Sequence, residues 1–368
     1  MKKIHQLVAG FRVGDAICEE ALIFRRLFRE HGFESHIYCE GSAIHPDSVG
    51  NAFDMDALAA DVGPDDWVVL HFSNGSPVNL LFATLPCRRC LLYHNVTPPE
   101  YFIHLDPALA GRLALGREQV ALLRGVAELN LAVSAYNAEE LRRMGYEDVQ
   151  VFPLVVDFDV RRGNADAGMQ QRLRRDGLLN LLFVGRVVPN KRHDRLITLF
   201  HYFQKHVEPR SRLIIAGSSL GAEAYKILLL GQVASLGLKR VMFTEFLSDA
   251  ELNACYASAD AFVCLSDHEG FCAPLLEAMI WDVPIFAKAA AAVPETLGGA
   301  GVVFDGDSLA VMAEAMGRVL SDPALSAAVI ERQRARLAQF SQRDVWGEMC
   351  ALFGLSKAVP FPRTRPVL

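Results

Sequence analysis

Residues 260–288 read DAFVCLSDHEGFCAPLLEAMIWDVPIFAK, and the fold follows from how they are divided. Ala261 to Leu265 and Val283 to Ala287 are short apolar runs of the kind buried strands use. Between them a polar loop enters a helical stretch whose Pro274 suits a first helical turn, where its missing N–H would have no partner anyway. Strand, loop, helix and strand at this length form a crossover between parallel strands. Glu269 then lies in the loop and Glu277 about one turn inside the helix, and the backbone N–H groups of Gly270, Phe271 and Cys272 fall between them. A helix N-terminus flanked by acceptors suits a ligand whose phosphate sits between two sets of hydroxyl groups. Carboxylates that cleave a glycoside must face each other across the bond, which this spacing does not establish.

The same unit repeats along the chain. In the first half the strand candidates are KIHQLV, SHIYC, DWVVLHF, CLLYH, LNLAVS and VQVFPL; in the second they are LNLLFVG, SRLIIAG, RVMFTEF, DAFVCLS, VPIFAK and AGVVF. Helical stretches separate them, which is the pattern of α/β layers with parallel sheets. One of these, DAICEEALIFRRLFREHG, has apolar residues near helical spacing, arginines in its last turn and Gly32 placed to stop it. The stretch PLVVDFDVRRGNADAG gathers proline, glycine and charge and marks a join near residues 154–158. The organisation expected is an α/β chain of two doubly wound, Rossmann-like domains, 1–155 and 156–342, facing each other across a cleft. A C-terminal helix and tail, 343–368, is assigned to neither. Ligands of open parallel sheets bind beyond the carboxyl ends of the strands, so the cleft is the expected site.

Composition narrows the function. The chain has 368 residues, 51% hydrophobic and 22% charged, with 17 prolines and a net charge of −6. No apolar run reaches the roughly 18 residues of a membrane span, and Arg12 and Asp15 interrupt any signal-peptide core, so a cytoplasmic protein is expected. The acidic balance argues against nucleic acid as a partner. Eight scattered cysteines read as reduced and buried. Cys87 and Cys90 resemble half a zinc site, but no second pair completes it.

A second motif, FVGRVVPNKRHDRL, places Arg186, Asn190 and Lys191 on a loop between a strand ending at Gly185 and a helix starting near His193. Two cations beside a helix N-terminus suit a diphosphate, although solvated loop charges would read the same. Neither GxxxxGK[ST] nor GxGxxG is present.

Taken together, EGFCAPLLEAM, GRVVPNK, IIAGSS and TEFLSDAELNACYASAD resemble the nucleotide-sugar domain of GT-B glycosyltransferases of family 4, over about residues 180 to 305. The resemblance implies retaining transfer of a hexose from a nucleoside-diphosphate sugar, with no cofactor and no metal. It implies that Glu269 meets the hexose hydroxyls, Glu277 the ribose, and Arg186 and Lys191 the diphosphate, joined by the amides of Phe271 and Cys272 beside Gly270. Phe246 and Leu247 match the loop bordering the nucleobase. Arg192 departs from the family, which usually has glycine there. In the first half, Gly14 in VGDAICEE occupies the position of a glycine loop that approaches the donor. YHNVTPPEYF is similar to a segment of bacterial polysaccharide mannosyl- and rhamnosyltransferases, in which His94 matches a histidine near the transferred sugar. This favours a GDP-sugar donor, GDP-mannose or GDP-rhamnose, and a glycan or lipid-linked glycan acceptor. Without the family, His94 reads as a strand-end histidine bonded to backbone.

Other readings stay open: a UDP-sugar donor, a sugar phosphorylase on the same architecture, or a non-catalytic sugar-nucleotide-binding subunit. Asp157-Phe158-Asp159 mimics a DxD metal motif but sits in the join and reads as structural. The arginine- and leucine-rich stretch from Asp106 to Leu129 admits peripheral contact with an anionic membrane, and core packing gives the same text. His71 and Asn74 end a strand as acceptor contacts or turn residues.

Overall fold

A computed structural model describes residues 2–306 and 308–355. The described residues divide into two compact units, one formed by those within 1–99, 111–156 and from Asp344 to Leu355, the other by those within 100–110 and 157–343.

The first unit carries a seven-stranded sheet: β1 (Ile4–Val8), β2 (Ile37–Cys39), β3 (Phe53–Asp54), β4 (Trp67–Phe72), β5 (Arg88–Tyr93), β6 (Leu129–Ala132) and β7 (Val149–Val151), in the order β3-β2-β1-β4-β5-β6-β7. Every pairing is parallel. All residues of β1 and β4 are buried, as expected of strands covered on both faces. β3 escaped the sequence reading because two exposed residues carry no alternation. The helix Ala16–Glu30 follows β1; Asp15 caps it by accepting from the N–H groups of Ile17 and Cys18, and Gly32 follows at φ +83°. The terminal helix Val345–Phe353 belongs to this unit. Trp346 stacks on His31 at 3.8 Å, and Phe353 meets Trp67 edge-on at 4.9 Å. The Pro- and Arg-rich tail lies outside the described residues.

The second unit has a six-stranded sheet: β8 (Leu179–Val184), β9 (Ser211–Ala216), β10 (Val241–Phe243), β11 (Ala261–Cys264), β12 (Ile285–Lys288) and β13 (Val302–Phe304), in the order β10-β9-β8-β11-β12-β13. It is parallel throughout. The helix His193–His206 buries Leu196, Leu199, Phe200 and Phe203 against Leu213 and Ile215 of β9. Strand order reverses between β8 and β11 in this sheet and between β1 and β4 in the other. At such a switch point the loops leaving the two strands diverge and open a crevice beyond the sheet. The loops carrying Arg186 and Glu269 leave β8 and β11.

Candidate functional site

In the second unit the loop 185–192 needs two backbone devices. Gly217 lies so close to its neighbour that a Cβ there would fall 2.0 Å from the Gly185 carbonyl oxygen, so this approach requires glycine. Arg192 adopts the left-handed conformation, φ 54°, which explains why glycine is usual at that position. Its guanidinium restrains it, donating to both oxygens of Asp194 at 3.0 and 2.9 Å and to Asp267 at 2.6 Å. Asp267 also accepts from Lys288 at 2.9 Å. Burial alone would raise the Asp267 pKa, but these two cations hold it below the usual carboxylate value.

Asn190 ties the two loops together. Its side-chain amide donates to the His268 carbonyl at 3.3 Å, and its main-chain carbonyl accepts from the Asp267 N–H at 2.9 Å. The buried Asn190 side chain therefore acts as a loop brace. Lys191 Nζ donates to both oxygens of Glu269, at 2.6 and 2.7 Å. Burial would lower the lysine's pKa; the carboxylate charge outweighs it and raises the value. Arg186 is exposed and has no side-chain hydrogen bond or ion pair among the described residues.

The helix Ala273–Ile280 starts as expected, with Pro274 in its first turn and Cys272 at its cap at φ 71°. Among the described residues the N–H groups of Phe271 and Cys272 have no acceptor, while the Phe271 carbonyl is fixed by Thr296 Oγ1 at 2.6 Å. Those N–H groups and the aligned helix dipole make a positive end suited to an anion. Glu277, buried, accepts from Tyr256 Oη at 2.6 Å and pairs with Arg161 Nε at 3.0 Å. Both partners are far off in sequence and were not foreseen. Ser248 and Glu251 form a reciprocal capping box on helix Asp249–Ala257, just after exposed Phe246 and half-buried Leu247. Glu245 is held by Lys226 and by the N–H and hydroxyl of Ser219.

Among the described residues, two groups of side chains have the spacing of a metal set. In Cys264, Glu269 and Cys272, the carboxylate is already engaged on both oxygens by Lys191, so it is not an open ligand. The other, Glu20, His71 and His94, lies in the first unit and was not seen in the sequence as a group. Asp157 instead caps the short helix Phe158–Arg161.

In the first unit Gly14 sits at φ +88°, a conformation that favours glycine, and its N–H donates to Glu19 at 2.8 Å. His94 follows β5 directly. Its ring bonds to His71 at 3.1 Å and not to backbone, which corrects the plain strand-end reading. His71 is inside β4 and wholly buried, so it is neither a turn residue nor an acceptor contact. Burial, helped by His71, holds the His94 pKa well below 6.5.

Two parallel sheets of this strand order in two units define the GT-B class of fold. HepE from Anabaena, solved with UDP and glucose, superposes with a TM-score of 0.71 over 95% of this chain and 98% of its own, at 20% identity. WaaG, a glycosyltransferase involved in lipopolysaccharide biosynthesis, gives 0.68 over 96% and 100%, at 14% identity. Residues 166–336 match the family described as Glycosyl transferases group 1. The chain thus has the GT-B fold, and residues 166–336 of its second unit are similar to a glycosyl transferases group 1 domain. Among curated relatives, O-antigen chain mannosyltransferase B of Escherichia coli is 27% identical over 182 residues, 49% of this chain and 41% of that protein. The GDP-mannose-dependent alpha-(1-6)-phosphatidylinositol monomannoside mannosyltransferase of Mycolicibacterium smegmatis is 30% identical over 176 residues, 45% of each. The chain therefore aligns with less than half the length of these relatives. Among the described residues no helix is long and apolar enough to cross a membrane.

Proposed function

We propose that the protein is a retaining hexosyltransferase that takes a hexose from a nucleoside-diphosphate sugar to a glycan or lipid-linked glycan acceptor, with GDP-mannose the favoured donor. The observation that carries this reading is the juxtaposition at the switch point of the second sheet. Lys191 and exposed Arg186 lie on one loop, and the orphan amides of Phe271 and Cys272 on the next. A diphosphate leaving group develops negative charge as the glycosidic bond breaks, and fixed positive groups around it lower the barrier without reorganising. Glu269, already oriented by Lys191, accepts from hexose hydroxyls. Glu277, oriented by Tyr256 and Arg161, accepts from ribose. In retaining transfer of this kind the departing phosphate takes the acceptor proton on the same face of the sugar, so neither glutamate need be a nucleophile.

The mannosyl preference rests on the two relatives named above, and polysaccharide synthesis is the setting their names give. A UDP-sugar donor is the second reading, favoured by the UDP-bound HepE fold. The test is a panel of GDP- and UDP-sugars assayed for nucleotide release with oligosaccharide and lipid-linked acceptors. Release from GDP-mannose alone supports the first reading, release from UDP-sugars alone supports the second, and release from neither, with or without added phosphate, overturns both.

A further inference from the structure

The buried polar side chains of the first unit form a directional chain of hydrogen bonds. Gln6, in β1, donates its amide N–H to the Ala21 carbonyl at 3.0 Å, which fixes which end of the amide is oxygen. That oxygen lies 3.0 Å from His71 Nε2. An amide oxygen only accepts, so a neutral His71 carries its proton on Nε2 and leaves Nδ1 as a bare lone pair. His71 Nδ1 lies 3.1 Å from His94 Nε2. His94 must therefore carry its proton on Nε2 and donate it. Its remaining nitrogen, Nδ1, has no hydrogen bond among the described residues, and His94 keeps 8% exposure where His71 and Gln6 have none.

From this chain we infer that Gln6 and His71 are positioning residues that lock His94 in the Nε2–H tautomer, so that Nδ1 is left as a hydrogen-bond acceptor. Resting on the transferase reading for what that acceptor meets, its partner is a hydroxyl of a sugar substrate, which donates to Nδ1. Buried neutral imidazoles otherwise choose their tautomer from whatever bond the second nitrogen makes, and here that choice is passed along from Gln6. Glu20 completes the arrangement. One oxygen accepts from the Val155 N–H at 2.7 Å, and the other lies 3.6 Å from His71 Nδ1 and 3.5 Å from His94 Nε2, beyond a good hydrogen bond to either. Its field favours a proton staying between the two rings. The backbone holds His94 in place: its N–H donates to the Phe72 carbonyl at 2.9 Å, and the next residue, Asn95, at φ 86°, bonds Asn137 at 2.7 Å.

The test uses full-length protein labelled with 15N-histidine and long-range proton–nitrogen spectra, which tell a protonated ring nitrogen from a bare one. His94 is expected to show Nε2–H and bare Nδ1. His71→Asn, whose amide oxygen can stand in for Nδ1, should keep that tautomer. His71→Leu should give mixed tautomers and lower kcat at least about tenfold, with donor KM nearly unchanged. The opposite tautomer in the wild type overturns the inference whatever the activity. So does a stoichiometric zinc or cobalt ion bound through Glu20, His71 and His94. If the tautomer is as stated but His94→Ala transfers sugar normally, the chain stands and the role of His94 in transfer fails.

Discussion

Lys191 Nζ sits between the two oxygens of Glu269, 2.6 Å from one and 2.7 Å from the other, joining loops that leave adjacent strands of the second sheet. One ammonium thus orients the carboxylate proposed for the sugar and is itself proposed to supply charge for the diphosphate.

This pair separates two substitutions that the sequence alone treats alike. Lys191→Ala leaves Glu269, only 7% exposed, without its cation, and should cost about 3–5 kcal/mol of folding stability as well as activity. Arg186→Ala removes an exposed side chain with no ion pair and should change stability by less than about 0.5 kcal/mol. Nucleoside-diphosphate affinity should nevertheless fall by about 1.5–3 kcal/mol. Urea unfolding beside calorimetric titration checks both; an Arg186→Ala protein that binds normally removes that residue from the site.

The two glutamates are proposed to divide by role. Glu269→Gln should lower kcat while keeping affinity for the free nucleotide. Glu277→Gln, which weakens the bond to Arg161, should weaken the nucleotide and its sugar alike. Identical behaviour of the two variants in titrations with the free nucleoside diphosphate contradicts the division.

Much of this was legible in the sequence. Every strand but β3 was foreseen from apolar runs, and Pro274 and Gly32 marked helix ends through local backbone chemistry that needs no tertiary contact. Glu269, Glu277, Arg186 and Lys191 were named from two loops. What stayed hidden depends on contacts between distant segments: Tyr256 and Arg161 on Glu277, Asn190 as a brace, and the Gln6–His71–His94 chain drawn from two strands of one sheet and the residue after a third. No periodicity within one stretch encodes such pairings. The return of helix Val345–Phe353 to the first unit was hidden for the same reason, since Trp346 and Phe353 find partners more than 250 residues away in sequence.

Stability should fall with acid below neutrality. Burial lowers the His193 pKa to about 3 and the His5 pKa to about 4 in the folded state, against 6.5 for the free side chain. Between pH 6.5 and about 4 the unfolded chain therefore binds more protons at both positions. Stabilisation present above 6.5 is lost as pH falls, by about 1.4 kcal/mol per pH unit for each histidine. Urea midpoints at pH 7, 6 and 5 should show the slope, and His193→Gln should flatten it. An unchanged slope in that variant means His193 is protonated in the fold.

Activity should survive EDTA, because Arg186, Lys191 and the helix N-terminus are the groups proposed to meet the diphosphate charge. Loss on chelation, restored by magnesium or manganese, contradicts this.

The most direct measurement is calorimetric titration of the full chain with GDP, GDP-mannose and UDP, run in parallel on the Arg186→Ala variant. The account predicts single-site binding of a nucleoside diphosphate and its sugar, weakened at least about tenfold by the substitution, in line with one lost charge-assisted contact. No binding of any of the three at millimolar concentration, or binding that the substitution leaves untouched, would contradict it.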